Sequence, residues 1–128
     1  MFSHIVVGSN DLQKSKTFYD AIFGVAGVGP GMQIDETRVA YIKPGAASFM
    51  VTRPINGNAA TFANGGTIGF PFESPQQVDA WHAAGCANGG TTCEEPPGMR
   101  DRGMGKMYLA YLRDPDGNKL CAIHRPEA

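Results

Sequence analysis

Apolar residues alternate from Phe2 to Val7. Phe2, His4 and Val6 fall on one side and Ser3, Ile5 and Val7 on the other, the pattern of a strand. The period then lengthens. Leu12, Ser15, Phe18 or Tyr19, and Ile22 recur at helical spacing behind Asn10 or Asp11, either of which can cap the first turn, and Gly24 supplies a stop. Three short strands are expected next, Met32 to Asp35, Arg38 to Lys43 and Ala47 to Thr52, with turns at Asp35-Glu36-Thr37 and Pro44-Gly45. From Arg53 to Gly66 the periodicity disappears into Asn, Gly and Ala, as in a connector between packed units.

Alternation resumes from Thr67 to Phe72. Ser74 then opens a second helix as N-cap, with Pro75 at the first helical position and Gln77 closing a capping box. Val78, Trp81 and Ala84 make its buried stripe, and Gly85 is read as its end. A strand is expected near Thr91 to Glu94, followed by a long loop from Glu95 to Gly105. The stretch from Lys106 to Arg125 is the clearest in the chain: two apolar strands around Asp114-Pro115-Asp116-Gly117-Asn118, which is concentrated turn chemistry. Both strands are apolar on both faces, so each face needs a cover.

The two halves share one order: strand, helix of about three turns, then three strands. An offset of 64 residues lays His4 on Ile68 and Asn10 on Ser74. The chain therefore reads as one domain, 1–128, with a first module at 1–54, a connector at 55–66 and a second module at 67–125. Its 128 residues suffice for a core without disulfide or metal staples. A net charge of -1 with 18% charged residues leaves no footprint for nucleic acid or an anionic membrane. The start, MFSHIVVGSN, has no basic segment and only a short apolar run broken at Gly8, so neither a signal peptide nor a membrane span is expected. Cys86, Cys93 and Cys121 are odd in number and lack CxxC spacing, which argues for free thiols and a cytoplasmic protein.

The Asp-Pro-Asp-Gly-Asn hairpin, set at the end of a doubled strand-helix-three-strand order, resembles the vicinal oxygen chelate family. That family includes glyoxalase I, the bleomycin and fosfomycin resistance proteins and extradiol dioxygenases. The resemblance implies an α+β fold of two βαβββ modules, whose mixed sheets form a curved cup with helices on the convex side. It also implies a homodimer, since unpaired sheet edges favour association. The family's chemistry rests on a divalent metal (zinc, nickel, manganese or iron) held by His or Glu/Gln side chains from the first and last strands of each module. Here His4 matches the first of those places, Ile68 occupies the second, Cys121 stands where a Glu is usual, and Ala47 to Thr52 carries no acid or Gln. Only His4 and Cys121 remain as metal candidates. An extradiol dioxygenase site would lack two of its three ligands.

By alternation Ile68, Phe70 and Phe72 are expected to share a side with Cys121 and Ile123, joined by Phe49 or Met50, forming an apolar cup for a small ligand. The loop from Pro96 to Lys106 suits a lid with adaptable apolar contacts, and Arg100 and Arg102 are the expected carboxylate partners. Tyr108 or Tyr111 can offer a hydroxyl, and strand parity does not choose between them. His82 and His124 lie away from the cup. The function expected is a glyoxalase-like binder or metal-independent enzyme for a small, partly apolar organic molecule. The alternative is a metal-dependent lyase or isomerase of the glyoxalase I type centred on His4, and a filled cup would point to a structural or regulatory partner with no small ligand.

Overall fold

In the computed structural model, which describes residues 1–126, the first half folds as β1 (His4–Gly8), α1 (Leu12–Val25), β2 (Met32–Asp35), β3 (Arg38–Tyr41) and β4 (Ser48–Thr52). No helix or strand interrupts the chain from Arg53 to Thr67. The second half repeats the order as β5 (Ile68–Pro71), α2 (Pro75–Ala87), β6 (Thr91–Thr92), β7 (Gly98–Asp101), β8 (Lys106–Arg113) and β9 (Lys119–His124). Sheet A has the order β1-β4-β3-β2, and sheet B has the order β5-β9-β8-β6, with β7 also paired to β8. In each sheet the first strand runs parallel to the last, and the other pairs are antiparallel. These are two βαβββ modules with mixed sheets, the second differing in that its outer strand is split into β6 and β7.

Local chemistry sets both helix starts. The Asp11 carboxylate accepts from the backbone N–H groups of Gln13 and Lys14, both at 3.1 Å, so Asp11 and not Asn10 is the N-cap. Ser74 accepts from the Gln77 N–H at 3.2 Å, and the Gln77 side chain reaches back to the N–H of Glu73. Asp11 with Ser74 gives an offset between the modules of 63, one less than the sequence comparison used. The same offset superposes Ile5 on Ile68. Ile5 pairs with Phe49 and Ile68 with Leu120, and all four pack into one apolar cluster with the helices.

That cluster lies between the helix layer and the inner faces of both sheets. Phe18, Tyr19, Ile22, Val78 and Trp81 are completely buried in it, beside Leu112, Leu120 and Ala122. Gly85 has a different role from the one expected, because α2 continues past it to Ala87. A Cβ at Gly85 would lie 2.3 Å from Leu112 Cδ1 and 3.2 Å from Phe18 Cε1, so the missing side chain lets α2 sit down on α1 and β8. Overpacking of this kind costs about 1–3 kcal/mol, against about 1 kcal/mol returned by helix propensity. Gly85→Ala is accordingly expected to lose about 1 kcal/mol net in urea unfolding; an unchanged midpoint would mean that the close approach is not needed. Among the described residues no helix is long and apolar enough to cross a membrane.

Candidate functional site

Each sheet buries one face under the helices; the other face is mostly exposed in sheet A, whereas in sheet B Met107, Leu109, Tyr111 and Cys121 are buried there as a second, smaller cluster with Cys93 and Ile123 packed against it, so strand pairing decides which residues can meet a ligand. In sheet B, Cys121 pairs with both Gly69 and Tyr111, and Ile123 pairs with Pro71 and Leu109. Directly paired residues project to the same side. Gly69, Pro71, Tyr111, Cys121 and Ile123 therefore share the face turned away from the helices, where, at the margin of that second cluster, they line a recess of about 520 Å³. Thr67, Glu94, Lys119 and Arg125 complete its wall.

The polar part of this recess is organised around Tyr111. Lys119 Nζ lies 5.0 Å from the centre of its ring and the Arg102 guanidinium 5.8 Å, so cations approach the ring from two elements. Arg102 also donates to the Tyr111 hydroxyl at 3.2 Å. The Glu94 carboxylate is bonded to Lys119 and lies 3.6 Å from an Arg102 nitrogen. Its hydrogen bond from Lys119 is the largest influence holding the Glu94 carboxyl below its usual range, and the same bond raises the Lys119 ammonium. Burial pushes the Cys121 thiol up, against a hydrogen bond from Tyr111, so the sulfur is protonated at neutral pH.

The structure thus brings together Arg102, Tyr111, Cys121 and Ile123 among the expected residues. It separates the rest. Ile68 and Phe70 pair with Leu120 and Ala122 and point toward the helices, opposite Cys121. Phe49 and Phe70 instead meet Phe23 with ring centroids 5.1 and 5.4 Å away, and Phe72 is buried beside Trp81. Tyr108 faces the same inner side, its hydroxyl donating to Asp79 of α2 at 2.7 Å, so of the two tyrosines it is Tyr111 that lines the recess.

Arg100 is buried and committed locally. Its guanidinium donates to the carbonyls of Pro96, Gly98 and Leu109 and pairs with Glu95 at 3.2 Å, so it is not the expected carboxylate partner. The expected lid is likewise partly a strand: Gly98 to Asp101 pair in register with Leu109 to Lys106, which pins the segment to β8. His82 contacts Thr92, and His124 Nδ1 donates to the Phe72 carbonyl at 3.0 Å. Lys119 and Glu94 were not among the expected site residues. Lys119 was legible by parity, two positions before Cys121 on the same strand, whereas nothing local marks Glu94.

His4 lies on the open face of sheet A, exposed, with Nδ1 2.8 Å from the Ser3 hydroxyl. The offset of 63 puts Thr67, and not Ile68, at the matching place of the second module. Val6 pairs with Met50 as Gly69 pairs with Cys121, so Met50 and Cys121 are matched too. The four places at which the resemblance expects metal ligands are therefore His4, Met50, Thr67 and Cys121. An imidazole, a thioether, a hydroxyl and a thiol do not make the His and carboxylate set that such a metal requires. Among the described residues no group of three His, Cys, Asp or Glu side chains is placed to hold a metal ion.

Residues 1–122 match the model of the glyoxalase/bleomycin resistance protein/dioxygenase superfamily. A glyoxalase/bleomycin resistance protein from Albidiferax ferrireducens T118 is 62% identical, with 98% of this chain and 99% of that one covered at a TM-score of 0.93. A glyoxalase-related enzyme from Fulvimarina pelagi (18% identity, TM-score 0.76, 98% and 88% covered) shares the fold alone. So does a lactoylglutathione lyase from Agrobacterium tumefaciens (19% identity, TM-score 0.66, 97% and 92% covered). No curated protein matches. With its two βαβββ modules, this chain belongs to the glyoxalase/bleomycin resistance protein/dioxygenase superfamily.

Proposed function

We propose that this protein is a glyoxalase-like member of its superfamily that has lost the metal set and binds a small, partly apolar organic molecule in the recess on the face of sheet B turned away from the helices, as a binder or as a metal-independent enzyme. The observation that carries this reading is the recess itself. Gly69, Pro71 and Ile123 give it an apolar floor, and Tyr111, Lys119 and Glu94 give it convergent polar groups. Its volume of about 520 Å³ lies within the range of small-molecule sites. The open face of sheet A supports the other partner expected, a second copy of the chain. Val6, Met32 and Ile34 are 44–62% exposed there, an apolar surface that association would cover.

Two measurements on the purified protein test the reading. Elemental analysis after incubation with zinc, nickel, manganese and iron is expected to find no stoichiometric metal, with His4→Ala indistinguishable from the parent. Metal that is retained by the parent and lost in His4→Ala would point instead to a metal-dependent lyase. A thermal-shift screen of small aromatic and aliphatic compounds is expected to yield ligands whose stabilisation disappears in Gly69→Phe. A Cβ at Gly69 meets no atom within 4 Å, so a side chain can start from this position without a clash at its base, and Gly69→Ala, which adds only that atom, serves as the control for the fold.

A further inference from the structure

Glu94 is the one non-glycine residue with a positive φ, +57°, among the described residues. Only glycine adopts that region freely, and other side chains held there mark places where the surroundings over-determine the backbone. Its side chain is engaged on two sides. Its carboxylate bonds to Lys119 of β9 and lies 3.6 Å from Arg102 in the turn between β7 and β8. It therefore closes a bridge between two elements across the wall of the recess.

The two cations do not owe their positions to Glu94 alone. Both rest against the Tyr111 ring, at 5.0 and 5.8 Å, and Arg102 also donates to the Tyr111 hydroxyl. With the Glu94 carboxylate swung away, an ammonium, a guanidinium and a phenol would still face one small volume, next to the apolar floor of Gly69, Pro71 and Ile123. Glu94 has room to move, since 32% of its side chain is exposed. Because the two cations keep its carboxyl below the usual range, Glu94 is ionised near neutral pH and competes there with any other anion.

We propose that the recess takes a monocarboxylate with an apolar body, and that Glu94 is the internal anion whose place on Lys119 and Arg102 the ligand's carboxylate takes. Exchange of one carboxylate for another keeps the site's charge balance, which favours a monoanion over a phosphate dianion. This proposal rests on the recess being the binding site, as argued above.

The test uses benzoate, phenylacetate and 3-phenylpropionate, each against its neutral amide, titrated into the full chain and followed by the backbone amide resonances of Gly69, Cys121 and Ile123. The acids are expected to shift these resonances more strongly than the amides. Glu94→Gln is expected to tighten the acids three- to tenfold and Lys119→Met to weaken them at least tenfold, with amide binding unchanged by either. Glu94→Gly, which also relieves the backbone, is expected to behave as Glu94→Gln does and serves if the latter folds poorly. Acids that bind the parent and are neither tightened by Glu94→Gln nor weakened by Lys119→Met would overturn the role of Glu94 and leave the recess standing as a site. Amides binding as well as the acids would overturn the carboxylate class. If no acid or amide moves the three resonances, the recess reading itself fails and this inference with it.

Discussion

Replacing Asp114 by alanine is expected to lower the stability of the protein by about 3–5 kcal/mol, a large share of what a domain of this size possesses. Asp114 is only 3% exposed. One carboxylate oxygen accepts from the backbone N–H groups of Asp116 and Asn118, both at 2.9 Å. The other accepts from the Tyr19 hydroxyl at 2.6 Å and from Asn118 Nδ2 at 2.8 Å. Alanine leaves these donors unpaired, and Tyr19 is wholly buried, so its hydroxyl cannot turn to water. The loss also reaches between the modules. Asn118 Nδ2 donates to the Gly8 carbonyl at the end of β1, and Asp116 accepts from the Asn10 N–H, so the turn that Asp114 braces fastens the second module to the first.

The same residue gives a pH signature. Burial raises the Asp114 pKa above its ordinary value, outweighing the hydrogen bonds that act the other way. The native state therefore holds the Asp114 proton more tightly than the unfolded chain does. Its stabilising contribution is full below the unfolded pKa and declines as pH rises through the folded one. The difference in stability between the parent and Asp114→Ala is expected to be larger near pH 4 than at pH 7. Urea titrations at both values measure it, and a difference that shrinks on acidification would refute the assignment.

The place of Asp114 shows how far the sequence can be read. The Asp-Pro-Asp-Gly-Asn turn is legible because its chemistry is local, and the cap at Ser74 is legible for the same reason, whereas Asn10 and Asp11 are both good caps and only the structure chooses Asp11. That the turn is also a buried brace is not legible, because its partner Tyr19 lies 95 residues away. The order of strands and helices follows from changes of period. The facing of β5 does not: Ile68 and Phe70 alternate with Gly69 and Pro71, and apolar residues occupy both faces of the neighbouring β8 and β9, so hydrophobicity offers two registers. The parallel pairing to β9 and the packing on the helices decide between them. β7 is not legible, because a four-residue edge strand rich in Gly, Met and charge carries almost no alternation.

The corrected register makes a second large effect predictable. Replacing Met50 by Glu, Thr67 by His and Cys121 by Glu in one chain that keeps His4 is expected to create a divalent metal site where the parent has none. His4, Met50 and Cys121 lie on the first and last strands of the modules, and Thr67 immediately precedes β5 at the place that matches His4. Two imidazoles and two carboxylates are a ligand set that zinc or nickel holds well. Retention through desalting corresponds to a dissociation constant of about 1 μM or tighter, or about 8 kcal/mol of binding free energy. The main opposition comes from Lys119 and Arg102, whose charges lie close to Cys121 and disfavour a cation there. Coordination by a carboxylate at position 121 offsets part of that, and adding Lys119→Met should raise the affinity further. Elemental analysis of the triple variant, and of the same variant carrying His4→Ala, makes the measurement. Metal that appears in the first and is lost in the second would show that the fold still converges these four positions and that only their side chains have changed. Absence of metal from both, even with Lys119→Met, would mean that the backbone no longer brings them together, and the offset of 63 would then describe the packing of the modules without describing a site.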